Sequence, residues 1–468
     1  MTQRVPRHAP QDTPVLRLVQ GSLHSWIEFR RNDRRPLPYY VLRAFERWLD
    51  CGNPSAGYTV FGCRKDDVAV RLAWCCRGRG FCCFCLIYRQ RVLSHHLLES
   101  VLGDTPVRHW VVCFPPALRC VLAYDNRILR AAYRGLADAV FEFQRREAIA
   151  LLDLDDAATI HPAGLIVHHR ASANLEPNHH LHGIFVDGVF VELPGGDVVL
   201  RRLPAPTDEQ VAEVAFAAGL KLCAALEKLG FWKTLNCSSD TIEGTLSLPH
   251  TQPRHATFFG QAARDAEGGV APRDGAYAFH IWRGPAVEEA DDVERKRLVN
   301  YVLAPPFRDD QVRITAAGKV ALILKRPRHD GTREVVLEPF EFLDRLAELV
   351  PRPRLNTVRY FGAFAPKSRV RNQAVARIAE PAGEAPASTH VLDGRPTAAS
   401  RCNAPGSTHP VCPICMKALR FIRAVRWHNA RQRVDRGVPP DTPSAIAPRG
   451  QDRFGHVPST AVQGRLFA

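Results

Sequence analysis

Read for where apolar and polar residues fall, the chain alternates between helical and extended periods. Tyr40, Val41, Ala44, Phe45, Trp48 and Leu49 recur at helical spacing until Cys51-Gly52-Asn53-Pro54 stops them. Residues 87–101 read as a basic helix carrying Arg89 and Arg91, and His109 to Phe114 as a strand closed by Pro115-Pro116. A long amphipathic helix follows from about Asn126 to Leu152, and Gly164 to His169 is again strand-like. The next strand pattern contains His179-His180-Leu181-His182 and ends at Asp187-Gly188, a favoured two-residue turn. It predicts a hairpin in which Val189 to Leu193 pairs back. Asp208 to Leu229 reads as a helix, with Val211, Val214, Ala215, Ala218 and Leu222 on one face.

Asp291 and Glu294 have capping-box spacing ahead of a helix that Pro305-Pro306 ends. Tyr301 falls in its last turn, and Arg297 lies one turn earlier on the same face. Ala321 to Lys325 and Glu334 to Leu337 read as strands joined by a turn at His329-Asp330-Gly331, and Glu341 to Leu349 as a helix leading to Arg359-Tyr360-Phe361-Gly362. Strands interleaved with helices predict one α+β layer domain over about 104–360. Residues 1–36 have no sustained period and read as a flexible arm or a loosely docked helix. From Pro366 to the end the composition changes, with twelve prolines spread through the segment and few apolar runs before Cys412-Pro413-Ile414-Cys415. Behind that pair, Lys417, Arg420, Arg423 and Arg426 repeat every three residues among Leu419, Phe421, Ile422 and Trp427, which reads as a basic amphipathic helix. Such a helix suits either a phosphate backbone or a solvated surface.

Charge separates these flanks from the body. Of the net +15, residues 1–36 hold +4 and residues 366–468 hold +10, leaving about +1 for the middle. A near-neutral body with basic ends fits a polyanionic partner, with nucleic acid favoured over mere solubilising tails. No stretch approaches about 18 uninterrupted apolar residues, and Met1 to Pro14 is polar, so no membrane partner is expected and a cytoplasmic location is.

Seven of the fourteen cysteines fall between Cys51 and Cys85, which in a chain without an export signal favours metal thiolates over disulfides. The spacing Cys63-x12-Cys76-x5-Cys82-x2-Cys85 suits tetrahedral zinc, with Cys51, Cys75 and Cys83 as extras and Gly78-Arg79-Gly80 making the turn. On a strand, His180 and His182 project from one face while Leu181 goes to the other. Two such imidazoles can share a metal ion or can be core histidines bonded to backbone. Tyr301, taken alone, is open to a packing role as well as a chemical one.

Several stretches together resemble the rolling-circle transposases of the insertion sequence 91 family, members of the HUH endonuclease superfamily. They are Cys76-Arg77-Gly78-Arg79-Gly80-Phe81-Cys82-x2-Cys85, Pro106 to Val111, Leu122-Ala123-Tyr124-Asp125, His180-Leu181-His182-x4-Asp187-Gly188-Val189, Asn300 to Pro306, Leu324-Lys325-Arg326-Pro327-x2-Asp330-Gly331-Thr332, and Glu338-Pro339-Phe340-x-Phe342-Leu343 through Tyr360-x-Gly362. Their order and spacing hold over roughly residues 40–370.

The resemblance implies a HUH-type antiparallel sheet with helices packed on it, preceded by a small zinc-binding module and followed by a basic, partly disordered tail. The corresponding domains are a basic arm (1–36), the zinc module (37–103), the catalytic domain (104–365) and the Pro-rich tail (366–468). It implies that His180 and His182 hold Mg²⁺ or Mn²⁺ with His169, which stands eleven residues before His180, where the family has Gln or His. Tyr301 becomes the nucleophile that nicks single-stranded DNA and remains joined to the 5′ phosphate. A free phenol is only about 0.1% ionised at pH 7, a deficit of roughly 4 kcal/mol, which the metal and Arg297 would help to offset.

Two-tyrosine members carry a second tyrosine where this chain has Arg297, so the chain resembles the single-tyrosine branch associated with common-region elements. The resemblance leaves Tyr360 in a structural place. Asp66 stands where the family has a further zinc cysteine, so Cys63, Cys76, Cys82 and Cys85 are the expected zinc ligands, with Asp66 as an oxygen donor in reserve. Arg77, Arg79, Lys417, Arg420 and Arg423 are the expected DNA contacts. The implied partners are element ends and target DNA in the bacterial nucleoid, with a second copy of the chain as a further candidate. The alternatives are a plasmid replication initiator or relaxase using the same chemistry, a non-catalytic zinc-dependent DNA-binding protein, and a metal-dependent hydrolase.

Overall fold

A computed structural model of the chain describes residues 13–63, 69–114, 116–152, 159–230, 255–259, 278–327, 330–376, 420–426 and 444–446. In chain order the elements are α1 (Pro14–Asn32), α2 (Tyr39–Leu49), β1 (Gly57–Gly62), β2 (Ala69–Ala73), α3 (Cys83–Leu97) and β3 (Val107–Cys113). Then come α4 (Pro116–Tyr124), α5 (Asn126–Leu152), β4 (Ile160–His161), β5 (Ala163–Ala171), β6 (Pro177–Val186), β7 (Gly188–Glu192), β8 (Val198–Arg202) and α6 (Asp208–Lys228). They end with β9 (His255–Phe259), β10 (Ala278–Val287), α7 (Asp292–Val302), β11 (Val312–Ile314), β12 (Val320–Ile323), β13 (Glu334–Leu337), α8 (Pro339–Glu348), β14 (Val358–Gly362), α9 (Arg371–Ala376), β15 (Arg420–Arg426) and β16 (Ser444–Ile446).

These elements form two compact units, one drawn from residues 13–49 and 76–376 and a smaller one drawn from 50–75 and the strands at 420–446. The larger unit is built on a six-stranded antiparallel sheet in the order β14-β5-β6-β3-β10-β9. Strand alternation divides its apolar residues between two cores. Trp110, Val112, Ile166, Leu181, Phe185 and Ile281 face the helices α4, α5 and α6. Val107, Leu165, Val167, Ile184 and Val186 face the other way, against Leu97 of α3 and Leu298, Val299 and Val302 of α7. His180 and His182 alternate with Leu181, so they join the second face. The α+β, antiparallel character expected from the sequence is what the sheet has.

Three local expectations are corrected. First, Gly188 opens no hairpin with β6, because both edges of β6 are already taken by β5 and β3. Instead β7 pairs with β4 and β8 in a separate three-stranded sheet. Asp187 is buried at the junction, where its carboxylate takes two hydrogen bonds from Arg108 (Nε to Oδ1 2.7 Å, Nη2 to Oδ2 3.0 Å). Its N–H donates to the Pro106 carbonyl at 2.8 Å. Gly188 turns away with φ +157°, and a Cβ there would stand 2.3 Å from the Arg201 carbonyl oxygen.

Second, the segment read as a flexible arm or a loosely docked helix contains a helix, and a firmly packed one. Thr13 caps α1 by accepting from Leu16 N–H, Pro14 opens it, and Val15, Leu16, Val19 and Trp26 are fully buried. Trp26 Nε1–H donates to Asp344 of α8 at 2.9 Å, and Phe29 meets Phe340 with ring centroids 5.4 Å apart.

Third, the segment read as a basic helix is the strand β15, paired with β1 and β16 in the smaller unit's four-stranded sheet β16-β15-β1-β2. An arginine every third residue does not itself select helix. Phe421, Ile422 and Val425 favour extended backbone, and β1 offers an edge to pair with.

Candidate active site

The three histidines implicated by the sequence come together through the β5–β6 register. Ser172 N–H donates to the Glu176 carbonyl across the tight connection, which sets His169 directly opposite His180 and Val167 opposite His182. The ring centroids of His169, His180 and His182 lie 4.2–5.2 Å apart, and one nitrogen from each lies within 4.8 Å of the others.

Two of these rings are oriented by main-chain carbonyls. His169 Nε2–H donates to the Val302 carbonyl at 2.6 Å, and His180 Nδ1–H donates to the Asn178 carbonyl at 2.7 Å. Each keeps its other nitrogen as a lone-pair donor. Burial pushes His169 down to about 3, with the neighbouring His180 adding to the effect. Burial likewise lowers His180, and pushes His182 well below the ordinary histidine range. Three neutral imidazoles that each bring one nitrogen within 4.8 Å of the others are a donor set that fits a divalent metal ion.

Tyr301 reaches this face from α7. Asp291 caps the helix by accepting from Glu294 N–H at 2.9 Å. Arg295, almost fully buried, anchors it through Asp292 at 2.7 Å and the carbonyl of Glu288 at 2.8 Å. The side chain of Gln90 on α3 donates to the Asn300 carbonyl at 2.7 Å. The phenol is 58% exposed, and its ring centroid stands 5.7 Å from His182 and 6.0 Å from His109 of β3. Arg297, placed beside Tyr301 by sequence, is solvent-exposed and paired with Glu294 at 3.2 Å. Tyr360 lies on β14 opposite Leu165. A cavity of about 130 Å³ adjoins the site, lined by His169, Val302, Arg89, Gln90 and Arg170 among others.

Cys76, Cys82 and Cys85 are buried together in the larger unit, with one sulfur from each within 4.8 Å of the others. Cys76 and Cys85 Sγ are 3.5 Å apart, and Gly78 N–H donates to Cys76 Sγ at 3.2 Å. The intervening Arg77 adopts φ +55°, which turns the main-chain amide toward the sulfur. Cys63, expected in this set from its spacing, lies just beyond β1 in the smaller unit, as does the buried Cys51.

Of the expected DNA contacts, Arg77 is exposed. Arg79 is engaged with the carbonyls of Leu355 and Arg352, so it ties the cysteine turn to the following chain. Arg420 and Arg423 lie on β15. Asp66, Lys417 and the Cys412/Cys415 pair fall outside the described residues.

Sequence reading passed over His109 and Arg295. Neither was given a role, although His109 falls in the stretch Pro106 to Val111, because their roles depend on partners far away in the chain.

Comparison with protein families gives two matches. Residues 23–114, which span the cysteine cluster, match the family described as "Transposase zinc-binding domain", from insertion sequence 91 transposases. Residues 228–373, which include Tyr301, match the family described as "Putative transposase". No curated protein and no solved structure matches the chain. The zinc-binding match and the grouped Cys76, Cys82 and Cys85 support a structural Zn²⁺, and the two matches together support a DNA-processing enzyme, an insertion sequence 91 family transposase.

Proposed function

We propose that this transposase is of the HUH type and moves DNA by a rolling-circle route, cutting one strand through Tyr301 and later rejoining it. The observation that carries this reading is the convergence of His169, His180, His182 and Tyr301 on one face of the central sheet, with the Tyr301 ring 5.7 Å from that of His182. His169, His180 and His182 would hold Mg²⁺ or Mn²⁺, which when bound polarises the scissile phosphate.

The exposed Tyr301 hydroxyl is free to meet a strand laid along this face. Its oxygen forms a bond to phosphorus as the bond from phosphorus to the 3′ oxygen breaks. The phenolic proton passes to water, and the departing 3′ oxygen takes one up. One phosphate ester replaces another, so the reverse attack by a 3′ hydroxyl reseals the strand without ATP. With Arg297 rather than a second tyrosine one turn before Tyr301, each site carries a single nucleophile. Arg297 would grip the phosphate by exchanging Glu294 for it. The basic flanks would hold single-stranded element ends and target DNA through salt-dependent contacts.

The test is incubation of the full-length protein with end-labelled single-stranded DNA and Mn²⁺, followed by denaturing electrophoresis. A protein–DNA adduct that is lost in Tyr301→Phe is the expected result. Cleavage that persists in Tyr301→Phe with no adduct would assign a hydrolase instead, and DNA binding without cleavage under either metal would leave only a zinc-dependent binding protein.

A further inference from the structure

The tautomers of His169 and His180 are dictated by carbonyl oxygens, which only accept. His182 is different. Its Nδ1 lies 2.9 Å from Nε2 of His109, a nitrogen able either to donate or to accept. His109 is on β3 opposite Ile184, whereas His182 faces Val111, so the two histidines are diagonal neighbours across the strand pair. Their rings are within 10° of parallel with centroids 5.1 Å apart, and Trp282 of β10 presents an edge to His109 at 5.3 Å. Both imidazoles are buried. His109 is outside the group of three whose nitrogens converge.

We infer that His109 is a positioning residue for the metal centre: its Nε2 accepts the Nδ1–H of His182, so that Nε2 of His182 keeps the lone pair a metal needs. If the hydrogen bond ran the other way, His182 would carry its proton on Nε2 and could not serve as a ligand through that atom. Without His109, nothing among the described contacts would choose between the two tautomers of His182. This inference rests on the metal reading of the site proposed above. It assigns a specific job to a histidine sixty residues before the first ligand.

Calorimetric titration of Mn²⁺ into the full-length, zinc-loaded protein tests it, with His182→Ala as the control that defines binding at this site. Wild type is expected to show a His182-dependent site. His109→Leu should bind Mn²⁺ about 10–100-fold more weakly, the range expected when a ligand histidine loses its hydrogen-bond partner. His109→Gln can place Oε1 near the position of Nε2 and offer an acceptor, and should recover affinity to within about threefold of wild type.

Melting temperatures measured alongside separate packing from positioning, since a merely structural role would not return metal affinity on restoring an acceptor. Equal affinity in His109→Leu and wild type overturns this inference alone. So does a His109→Gln variant that melts like wild type yet binds as weakly as His109→Leu. Absence of any His182-dependent Mn²⁺ site in wild type overturns the metal reading and this inference with it.

Discussion

His169 donates its Nε2–H to the main-chain carbonyl of Val302, the residue directly after Tyr301, at 2.6 Å. A single imidazole therefore orients its own lone pair and fastens the C-terminal end of α7 to the central sheet. Last-turn carbonyls of a helix have no partner within the helix, and His169 satisfies one of them. His169→Ala is expected to abolish Mn²⁺-dependent adduct formation. It should also cost about 1–3 kcal/mol of stability by stranding a buried carbonyl. His169→Gln retains an amide donor for the Val302 carbonyl and an oxygen able to serve as a ligand, so it should recover part of both the stability and the activity. Urea denaturation together with the adduct assay separates the two effects, and an unchanged unfolding midpoint in His169→Ala would show that the bond contributes nothing.

Tyr301 is expected to behave in the opposite way. Its side chain is 58% exposed, and no fold contact of its hydroxyl is on view among the described residues. Tyr301→Phe should keep stability within about 0.5 kcal/mol of wild type while eliminating the covalent adduct. A large fall in melting temperature would mean that loss of adduct reports misfolding and not loss of the nucleophile.

How much of this site could be read from the sequence depended on the range of the contacts involved. The eleven-residue interval from His169 to His180 is a local quantity, and a tight connection turns it into a direct cross-strand pair. The helix carrying Tyr301 was likewise marked by its own cap and its closing prolines. Asp187-Gly188 misled because its turn chemistry is local, whereas the edge it would pair with is filled by β3, drawn from more than seventy residues away. The arginines at 420–426 misled for a related reason. Their strand is fixed by pairing with β1, more than 350 residues earlier. His109 was invisible as a partner of His182 because nothing in a strand pattern says which diagonal neighbour it will meet.

Removing zinc should unfold the cysteine turn. Cys82 and Cys85 are buried and Cys76 Sγ already accepts from Gly78 N–H, an arrangement that a bound Zn²⁺ would hold as thiolates. Cys82→Ser and Cys85→Ser are each expected to lower zinc content from about one equivalent to near zero and to reduce the melting temperature. Metal analysis of purified protein gives the answer, and full zinc content in Cys82→Ser and Cys85→Ser would rule these cysteines out as ligands.

Asp187 and Arg108 form a buried ion pair that fixes the end of β6 to β3, and Arg108 also donates to the Gly284 carbonyl of β10 at 3.0 Å. Removing one partner leaves a buried charge uncompensated, a loss of about 3–5 kcal/mol. Asp187→Ala should therefore be among the more destabilising single substitutions in the sheet. Replacing both residues by apolar side chains of matching volume should be milder than either single change. Chemical denaturation of the two single variants and the double variant tests this, and an additive double variant would argue against a coupled pair.

The face of the sheet opposite Tyr301 predicts an acid-sensitive fold. His168 Nε2 and His179 Nδ1 lie 2.9 Å apart, with both rings buried. Burial, with Arg170 and His180 nearby, pushes His179 down to about 3, and burial with the neighbouring His179 and Arg170 holds His168 well below its usual value. Both are therefore neutral in the folded protein at pH 7. In the unfolded chain each regains a pKa near 6.5. Below that value the unfolded state binds more protons than the native state, so the stability present above about pH 6.5 drains away as the pH falls toward 3. His179 alone should account for a loss of about 2 kcal/mol between pH 7 and pH 5. Urea denaturation at the two pH values should show that loss in wild type and a smaller one in His179→Leu. Equal losses in the two proteins would mean that the acid sensitivity arises elsewhere.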